Sequence, residues 1–171
     1  MCGVDASRSA AGAVRVARTL SDCLRLRLVL VHVTDVPVVS PMTGFRGAHA
    51  ELRAIALDAA NELLDWVCET EDLPEVVRRV ELGKPAKRLA AVSDEEKAEL
   101  LVVGSRGRGR LTSALLGSVS ADVARTARCP VAIIPERAAG SAPRQRPTRA
   151  WLLGPQRSWP SEAQLENHGR A

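Results

Sequence analysis

The sequence predicts an α/β protein built on one open parallel sheet with helices on both faces. Strand-like apolar runs alternate with segments of helical periodicity from the first residues to about residue 134, which is the pattern of consecutive βαβ units. The apolar residues are mostly Ala, Val and Leu, with one Phe and no Tyr, a composition that suits strands buried on both faces. A chain of 171 residues most simply holds one domain.

The first strand is predicted at Met1–Val4, and Ser7 is placed to cap the helix that follows at about 8–24. The apolar positions of this helix fall on one face: Ala13, Val14, Ala17 and Leu20. The remaining elements follow in order as a strand at 27–33, a helix at 48–70, a strand at 75–82, a helix at 85–95, a strand at 100–103, a helix at 118–127 and a strand at 131–134.

Two features justify the middle of this assignment. The segment 34–47 contains two Pro and two Gly and is predicted as a loop. Pro85 suits the first turn of a helix. The helix at 48–70 carries one apolar stripe, which predicts its buried face: Leu52, Ile55, Ala56, Ala59, Leu63 and Val67.

The chain divides into a folded domain at 1–137 and a Pro/Arg-rich segment at 138–171, which we predict to be disordered. That segment holds five Arg and two Glu, so it carries +3 of the net charge of +4. The domain itself is nearly neutral and poor in aromatic residues, which argues against a nucleic-acid-binding surface.

The four cysteines are too far apart in sequence to form a metal-ligand pattern, and scattered cysteines of this kind are typically reduced. No apolar run reaches the ~18 residues of a membrane span. We therefore expect a cytoplasmic protein with no membrane partner and no metal site.

The stretch from Val102 to Ser120 carries the functional signal. A strand ends at Gly104, a loop rich in Gly and Arg follows, and Gly117-Ser118 begins the next helix. Glycines allow close approach of the backbone to an anion, and N–H groups at a helix start point toward it. The spacing G-x2-G-x9-G-S therefore predicts a phosphate cradle, whereas a plain strand-to-helix connection is the structural alternative.

Other patterns are weaker or absent. Asp5 is either a ligand residue at a strand end or only an acid at the start of a helix. His32 lies in an apolar run and is expected to be a packed histidine. The glycines match neither a Walker P-loop nor a complete dinucleotide fingerprint, and no G-x-S-x-G elbow occurs.

These residues resemble the universal stress protein family, in particular its ATP-binding branch. The most specific element is V-V-G-S-R-G-R-G-R-L-T-S-A-L-L-G-S-V-S, supported by G-V-D-x-S at Gly3–Ser7, L-V-L-V-H-V in the second strand, G-x-P at Gly83–Pro85 and C-P-V-A-I-I-P at the end. The resemblance covers about residues 1–136. It implies a five-stranded parallel sheet in the order 3-2-1-4-5.

The resemblance also implies a nucleotide across the tips of the first, second and fourth strands. Asp5 would lie near the ribose and Val33 against the adenine, while Gly117 and the residues after it would hold the phosphates. The complete set of expected binding residues is Gly3, Val4, Asp5, Val33, Val103, Gly104, Ser105, Arg106, Gly107, Arg108, Gly117, Ser118, Val119 and Ser120.

We therefore expect an ATP-binding stress-response regulator that takes ATP either alone or with Mg²⁺ carried by its phosphates. No dedicated base for phosphoryl transfer is evident, so the chain is expected to be no enzyme, or at most a slow ATPase. The alternative is a sibling that binds no nucleotide and acts through protein contacts. In either case the resemblance favours a homodimer through the strand at 131–134, whose apolar edge suits pairing.

Overall fold

The structure is a computed structural model that describes residues 1–35, 46–106 and 116–136. The described elements alternate regularly along the chain. They are β1 Cys2–Gly3, α1 Arg8–Leu24, β2 Val29–Thr34, α2 Arg46–Thr70, β3 Val77–Leu82, α3 Pro85–Glu95, β4 Leu101–Gly104, α4 Ser118–Thr126 and β5 Val131–Ile134.

The strands form one parallel sheet in the order β3-β2-β1-β4-β5. Cys2 in β1 is opposite Leu30 on one side and Val102 on the other, so β1 lies at the centre of the sheet. The predicted fold class and strand order are confirmed. From β1 the chain winds outward in both directions, which opens a crevice beside the carboxyl ends of β1 and β4.

Local sequence explains where the helices begin and end. The Ser7 side chain accepts a hydrogen bond from the Ala10 amide and caps α1, as predicted. The same helix ends at Arg25, which takes the left-handed conformation with φ 55°. Pro85 is in the first turn of α3, where its missing N–H leaves no helical bond unmade.

Two apolar layers cover the sheet. Leu30 and Val102 point to the face covered by α1 and α2, where they pack with Val14 and Leu64. The opposite face carries Val31 and Leu101 and packs against α3 and α4 through Val92 and Val123. Burial of each such side chain stabilises the fold by about 1.5–3 kcal/mol. The two layers together hold the strands in place, and with them the strand ends at which the crevice opens.

Two predicted details were wrong. Ile55 was placed on the buried stripe of α2, but it is 47% exposed. Among the described side chains of α2, close packing begins only at Ala60, because the earlier turns are exposed or half-buried. The first strand is also shorter than the predicted Met1–Val4, since it spans only Cys2 and Gly3, which pair with β2, and Cys2 pairs with β4 as well.

Some expectations fall on residues that the structure does not describe. The segment 138–171 is among them, so its predicted disorder and the domain boundary at 137 stay predictions. Within the described ranges, no helix combines the length and the apolar character needed to cross a bilayer.

An ion-pair network joins β3 to α3 at the edge of the sheet. Arg79 contacts Glu81, Glu95 and Glu96 at 2.6–2.7 Å. Arg88 also pairs with Glu81 at 2.5 Å. Burial raises the pKa of Glu81, but the hydrogen bonds from Arg88 and Arg79 outweigh it, so the pKa lies below its ordinary 4.5. The network therefore stabilises the folded state through charged carboxylates.

We expect this network to make stability depend on pH. A hydrogen bond from Arg79 also lowers the pKa of Glu96 from 4.5. Because the unfolded chain holds protons on these carboxyls more tightly, the contribution is complete above pH 4.5 and is lost as pH falls through the folded pKa values. Thermal unfolding should show Arg79→Met as less stable than the parent at pH 7, with a smaller deficit at pH 3.

Arg78→Met is the matched control, since Arg78 is the neighbouring residue and forms one exposed pair with Asp65. A smaller loss is expected for this variant. An Arg79→Met deficit of equal size at pH 3 and pH 7 would contradict the assignment of the network to charged carboxylates.

Candidate functional site

A cavity of about 280 Å³ opens at the carboxyl ends of β1, β2 and β4. The starts of α3 and α4 and the first turn of α1 complete its walls. Its described lining residues are Gly3, Val4, Asp5, Ala10, Val31, Val33, Pro85, Leu89, Val103, Gly104, Arg106, Gly117, Ser118, Val119 and Ser120. The cavity lies at the point where the strand order reverses, which is the usual ligand position in such sheets.

The structure brings most of the sequence-predicted residues to this one cavity. Those that line it are Gly3, Val4, Asp5, Val33, Val103, Gly104, Arg106, Gly117, Ser118, Val119 and Ser120. Ser105 is not in the lining and acts behind it through its backbone. Gly107 and Arg108 lie outside the described residues.

Sequence reasoning missed the apolar wall supplied by α3. Pro85 and Leu89 line the cavity beside Val31 and Val33. The crossover from β3 to β4 must pass over the central strand, so the start of α3 lies above the cavity. The G-x-P signal at Gly83–Pro85 marked that helix start, but only the topology shows which strand ends it covers.

Gly3 is packed tightly between this wall and β4. A Cβ at Gly3 would lie 3.1 Å from Leu89 Cδ1 and 3.2 Å from Val103 Cγ1. These distances are short for carbon atoms, so a side chain at this position would require the Leu89 and Val103 side chains to move apart. The glycine therefore permits the close contact that forms the apolar end of the cavity.

Gly104 allows β4 to approach α1 even more closely. A Cβ there would lie 2.6 Å from Ser9 Oγ, 2.8 Å from the Ser9 carbonyl carbon and 2.9 Å from the Ala10 amide nitrogen. Two of these atoms belong to backbone and cannot rotate away. The glycine predicted to admit a phosphate has this structural requirement in addition.

Arg106, two residues after Gly104, is held by a hydroxyl group of α1. Ser9 Oγ donates to the Arg106 carbonyl and accepts from the Arg106 amide, at 3.3 Å for the latter. Ser7 Oγ lies 3.2 Å from the same carbonyl, but its single proton is donated to Asp5 Oδ1 at 2.5 Å. Ser9 is only 1% exposed, so these bonds are shielded from water and fix the backbone of Arg106.

Gly117, which follows the Gly- and Arg-rich segment, is held next to Ser105, which precedes it. The Gly117 amide donates to the Ser105 carbonyl at 2.8 Å, and Ser120 Oγ donates to it at 3.1 Å. The two ends of the Gly- and Arg-rich segment therefore lie side by side at the cavity rim. Ser105 therefore positions the start of α4 through its carbonyl, although it does not line the cavity.

The first turn of α4 presents backbone amides to the cavity. The residue before the helix is Gly117, which has no side chain to cap the helix, and the first helical bond is donated by the Ala121 amide to Gly117. The amides of Ser118, Val119 and Ser120 precede that bond and have no partner within the helix. Together with the helix dipole they form a positive surface that suits an anion.

Asp5 has a structural role at the start of α1, and its role as a ligand residue stays a prediction. It lines the cavity, and its Oδ1 also accepts hydrogen bonds from the Ser7 amide at 3.0 Å and from the Ser7 hydroxyl at 2.5 Å. The Asp5 carboxylate is thus held by the start of α1 at the edge of the cavity.

His32 has a structural role that the sequence only partly indicated. It is 4% exposed, as expected of a packed histidine. Its Nδ1 donates to the Val4 carbonyl at 2.7 Å, because a carbonyl can only accept. This bond ties β2 to the β1–α1 loop that carries Asp5. Among the described residues, no cluster of three or more His, Cys, Asp or Glu is arranged to hold a metal ion.

Comparison with known proteins agrees with this geometry. Residues 1–135 match the model of the universal stress protein family. The chain belongs to the universal stress protein family. The match covers every described strand and helix, including all the residues that line the cavity.

Curated members of the universal stress protein family are similar in sequence. Universal stress protein Rv2005c of Mycobacterium tuberculosis is 38% identical over 135 residues, which cover 78% of this chain and 44% of that protein. Rv2623 of the same organism is 34% identical over 138 residues, 80% of this chain and 44% of the relative. The chain thus spans less than half the length of these relatives.

Solved universal stress protein structures show the same fold. UspA from Lactobacillus plantarum superimposes with a TM-score of 0.62 at 23% identity, over 77% of this chain and 93% of that one. A universal stress protein solved in complex with cAMP matches with a TM-score of 0.51 at 27% identity, over 79% and 94% of the two chains.

The contact between Gly104 and α1 should be intolerant of any side chain. We expect Gly104→Ala to lower the free energy of unfolding by about 1–3 kcal/mol, because its Cβ would meet backbone atoms. Chemical denaturation measures this loss.

Gly117→Ala is the matched control. A Cβ there would lie 3.3 Å from the Ser105 carbonyl oxygen, and φ is an ordinary −62°, so we expect a loss of about 1 kcal/mol or less. Adding Ser9→Ala to Gly104→Ala removes the hydroxyl but not the backbone atoms, so it should restore nothing. Equal losses for the two glycines, or a full rescue by Ser9→Ala, would contradict the close backbone approach.

Proposed function

We propose that this chain binds an adenine nucleotide in the cavity, with ATP as its ligand, and that occupancy by the nucleotide is the signal it passes on. The observation that carries the proposal is that an apolar slot and a helix N-terminus, whose first amides have no partner within the helix, face one cavity. A nucleotide is a ligand with a flat base at one end and an anion at the other, so it matches both.

The phosphates would lie against α4. The amides of Ser118, Val119 and Ser120 supply donors, and the helix dipole favours negative charge by roughly 0.3–1 kcal/mol in exposed settings. Arg106 is the basic side chain among the described lining residues, and a guanidinium forms charge-assisted bonds with phosphate. Mg²⁺ would arrive with the phosphates, since the described residues hold no cluster of its usual ligands.

The base and the ribose would occupy the other end of the cavity. Val33, Pro85 and Leu89 form an apolar wall against which a purine face can pack. Asp5 offers a carboxylate at the edge of this slot, and carboxylates accept hydrogen bonds from ribose hydroxyls. The family member that was solved with cAMP supports an adenine nucleotide as the ligand class.

The same residues favour signalling over catalysis. Asp5 is the acidic side chain among the described lining residues, and one of its oxygens already accepts two hydrogen bonds from Ser7. Such a carboxylate is a poor base for activating water, so we propose that hydrolysis of ATP is at most slow.

We also propose that two copies pair through β5. This strand is at the edge of the sheet, and its side chains are half-buried by the helices on both faces. The Pro130 and Ile134 carbonyls accept bonds from the Leu101 and Ser105 amides, so the peptide groups of Val131 and Ile133 point outward in a parallel ladder.

The cytoplasmic location stays a prediction.

Binding of ATP should depend on the charge at the start of α4. We expect the parent chain to bind ATP in isothermal titration, and Gly117→Asp to weaken binding more than tenfold. An aspartate there places a negative charge among the amides that would hold the phosphates.

The same substitution should leave the fold stable, because Asp is a good residue at the start of a helix. Thermal unfolding without ligand therefore separates lost binding from lost structure. Gly117→Ala adds a Cβ without charge and should change the affinity less than Asp does. Absence of ATP binding by the parent chain at millimolar concentration would refute the proposal.

Pairing through β5 should be detectable from the molecular mass of the protein in solution. Light scattering at micromolar concentration should give twice the mass of one chain. Ile133→Pro removes an outward N–H without removing a bond to β4, so the variant should stay folded and shift toward the monomer. A dimer that survives this change would place the contact elsewhere.

A further inference from the structure

Arg106 is held by contacts of both its backbone and its side chain. Its amide and carbonyl are bound to the hydroxyl of Ser9. Its side chain extends toward the residue that follows the last strand, and Nη1 lies 3.5 Å from Glu136 Oε2. Arg106 thus lines the cavity while its guanidinium contacts Glu136 outside it.

We propose that Glu136 competes with the phosphates of the nucleotide for Arg106 and thereby sets how strongly affinity rises with phosphate number. The inference rests on the proposed nucleotide-binding function. Glu136 is then a specificity-determining residue that touches Arg106 and not the ligand.

The fixed backbone leaves the competition to the side chain of Arg106. With the Arg106 amide and carbonyl bound to Ser9, the backbone does not carry the side chain toward either partner. Only rotation about the side-chain bonds moves the guanidinium between Glu136 and the cavity. A phosphate that draws the guanidinium into the cavity weakens its ion pair with the carboxylate.

The strength of the pair allows that displacement. The side chains of Arg106 and Glu136 are 37% and 42% exposed, and an ion pair in such a setting is weak and screened by salt. Charge-assisted bonds from a guanidinium to phosphate are stronger and can be bidentate. The guanidinium therefore favours the phosphate over Glu136, but loss of the Arg106–Glu136 ion pair reduces the free energy gained on binding.

Ligands without phosphate provide the internal reference. Adenosine would occupy the base slot without contacting Arg106, so its affinity should not depend on Glu136. Each added phosphate brings more negative charge to the start of α4 and Arg106. The cost of displacing Glu136 should therefore appear with ATP and be absent with adenosine.

The test compares Glu136→Gln with the parent chain by titration with ATP, AMP and adenosine. The substitution keeps the shape and removes the charge, so we expect ATP to bind roughly two- to fivefold more tightly, AMP to gain less and adenosine to be unchanged. Glu75→Gln is the control for net charge. Glu75 is exposed and precedes β3 at the opposite end of the sheet, so its loss should leave all three affinities unchanged.

A double-variant cycle completes the test. In an Arg106→Gln background, Glu136→Gln should no longer tighten ATP binding, because the shared group is gone. An equal gain in Glu75→Gln, an equal gain for adenosine, or a gain that persists without Arg106 would overturn the inference while ATP binding by the parent stands. Failure of every variant and the parent to bind ATP would overturn the proposed function and this inference together.

Discussion

The close approach of β4 to the start of α1 is the constraint on which the rest of the site depends. Gly104 lets the end of β4 pass so near to Ser9 and Ala10 that a single Cβ would collide with their backbone. That proximity places Ser9 within reach of the Arg106 peptide. Without it, the loop after β4 would have no fixed starting point, and the cavity would lose the wall between Asp5 and Arg106.

From this contact the site is assembled by backbone groups more than by side chains. The Ser105 carbonyl receives the Gly117 amide and the Ser120 hydroxyl, which places the start of α4 opposite the start of α1. Both helices then direct their N-terminal ends toward one cavity. A site formed in this way suits an anion, because its oriented peptide dipoles are already fixed by packing and would need no reorganisation to receive one.

The sequence predicted the fold well because its signals were local and mutually consistent. The β1–α1 turn carried a capping serine, α3 began with a proline, and each strand was a short aliphatic run. The stripe of α2 was less reliable. Periodicity predicted Ile55 as buried, yet it is 47% exposed, because a helical stripe says which face is apolar and not how far along the helix the sheet extends.

Sequence by itself determined the alternation of strands and helices, the glycine positions at the strand ends and the serines at the helix starts, since each depends on a residue's own geometry and its near neighbours. Tertiary structure alone decided that Pro85 and Leu89 cover the apolar end of the cavity, that Ser9 holds the Arg106 backbone and that Glu136 contacts the Arg106 guanidinium. These contacts join residues far apart in the chain. They follow from which elements pack side by side, and no local pattern encodes that.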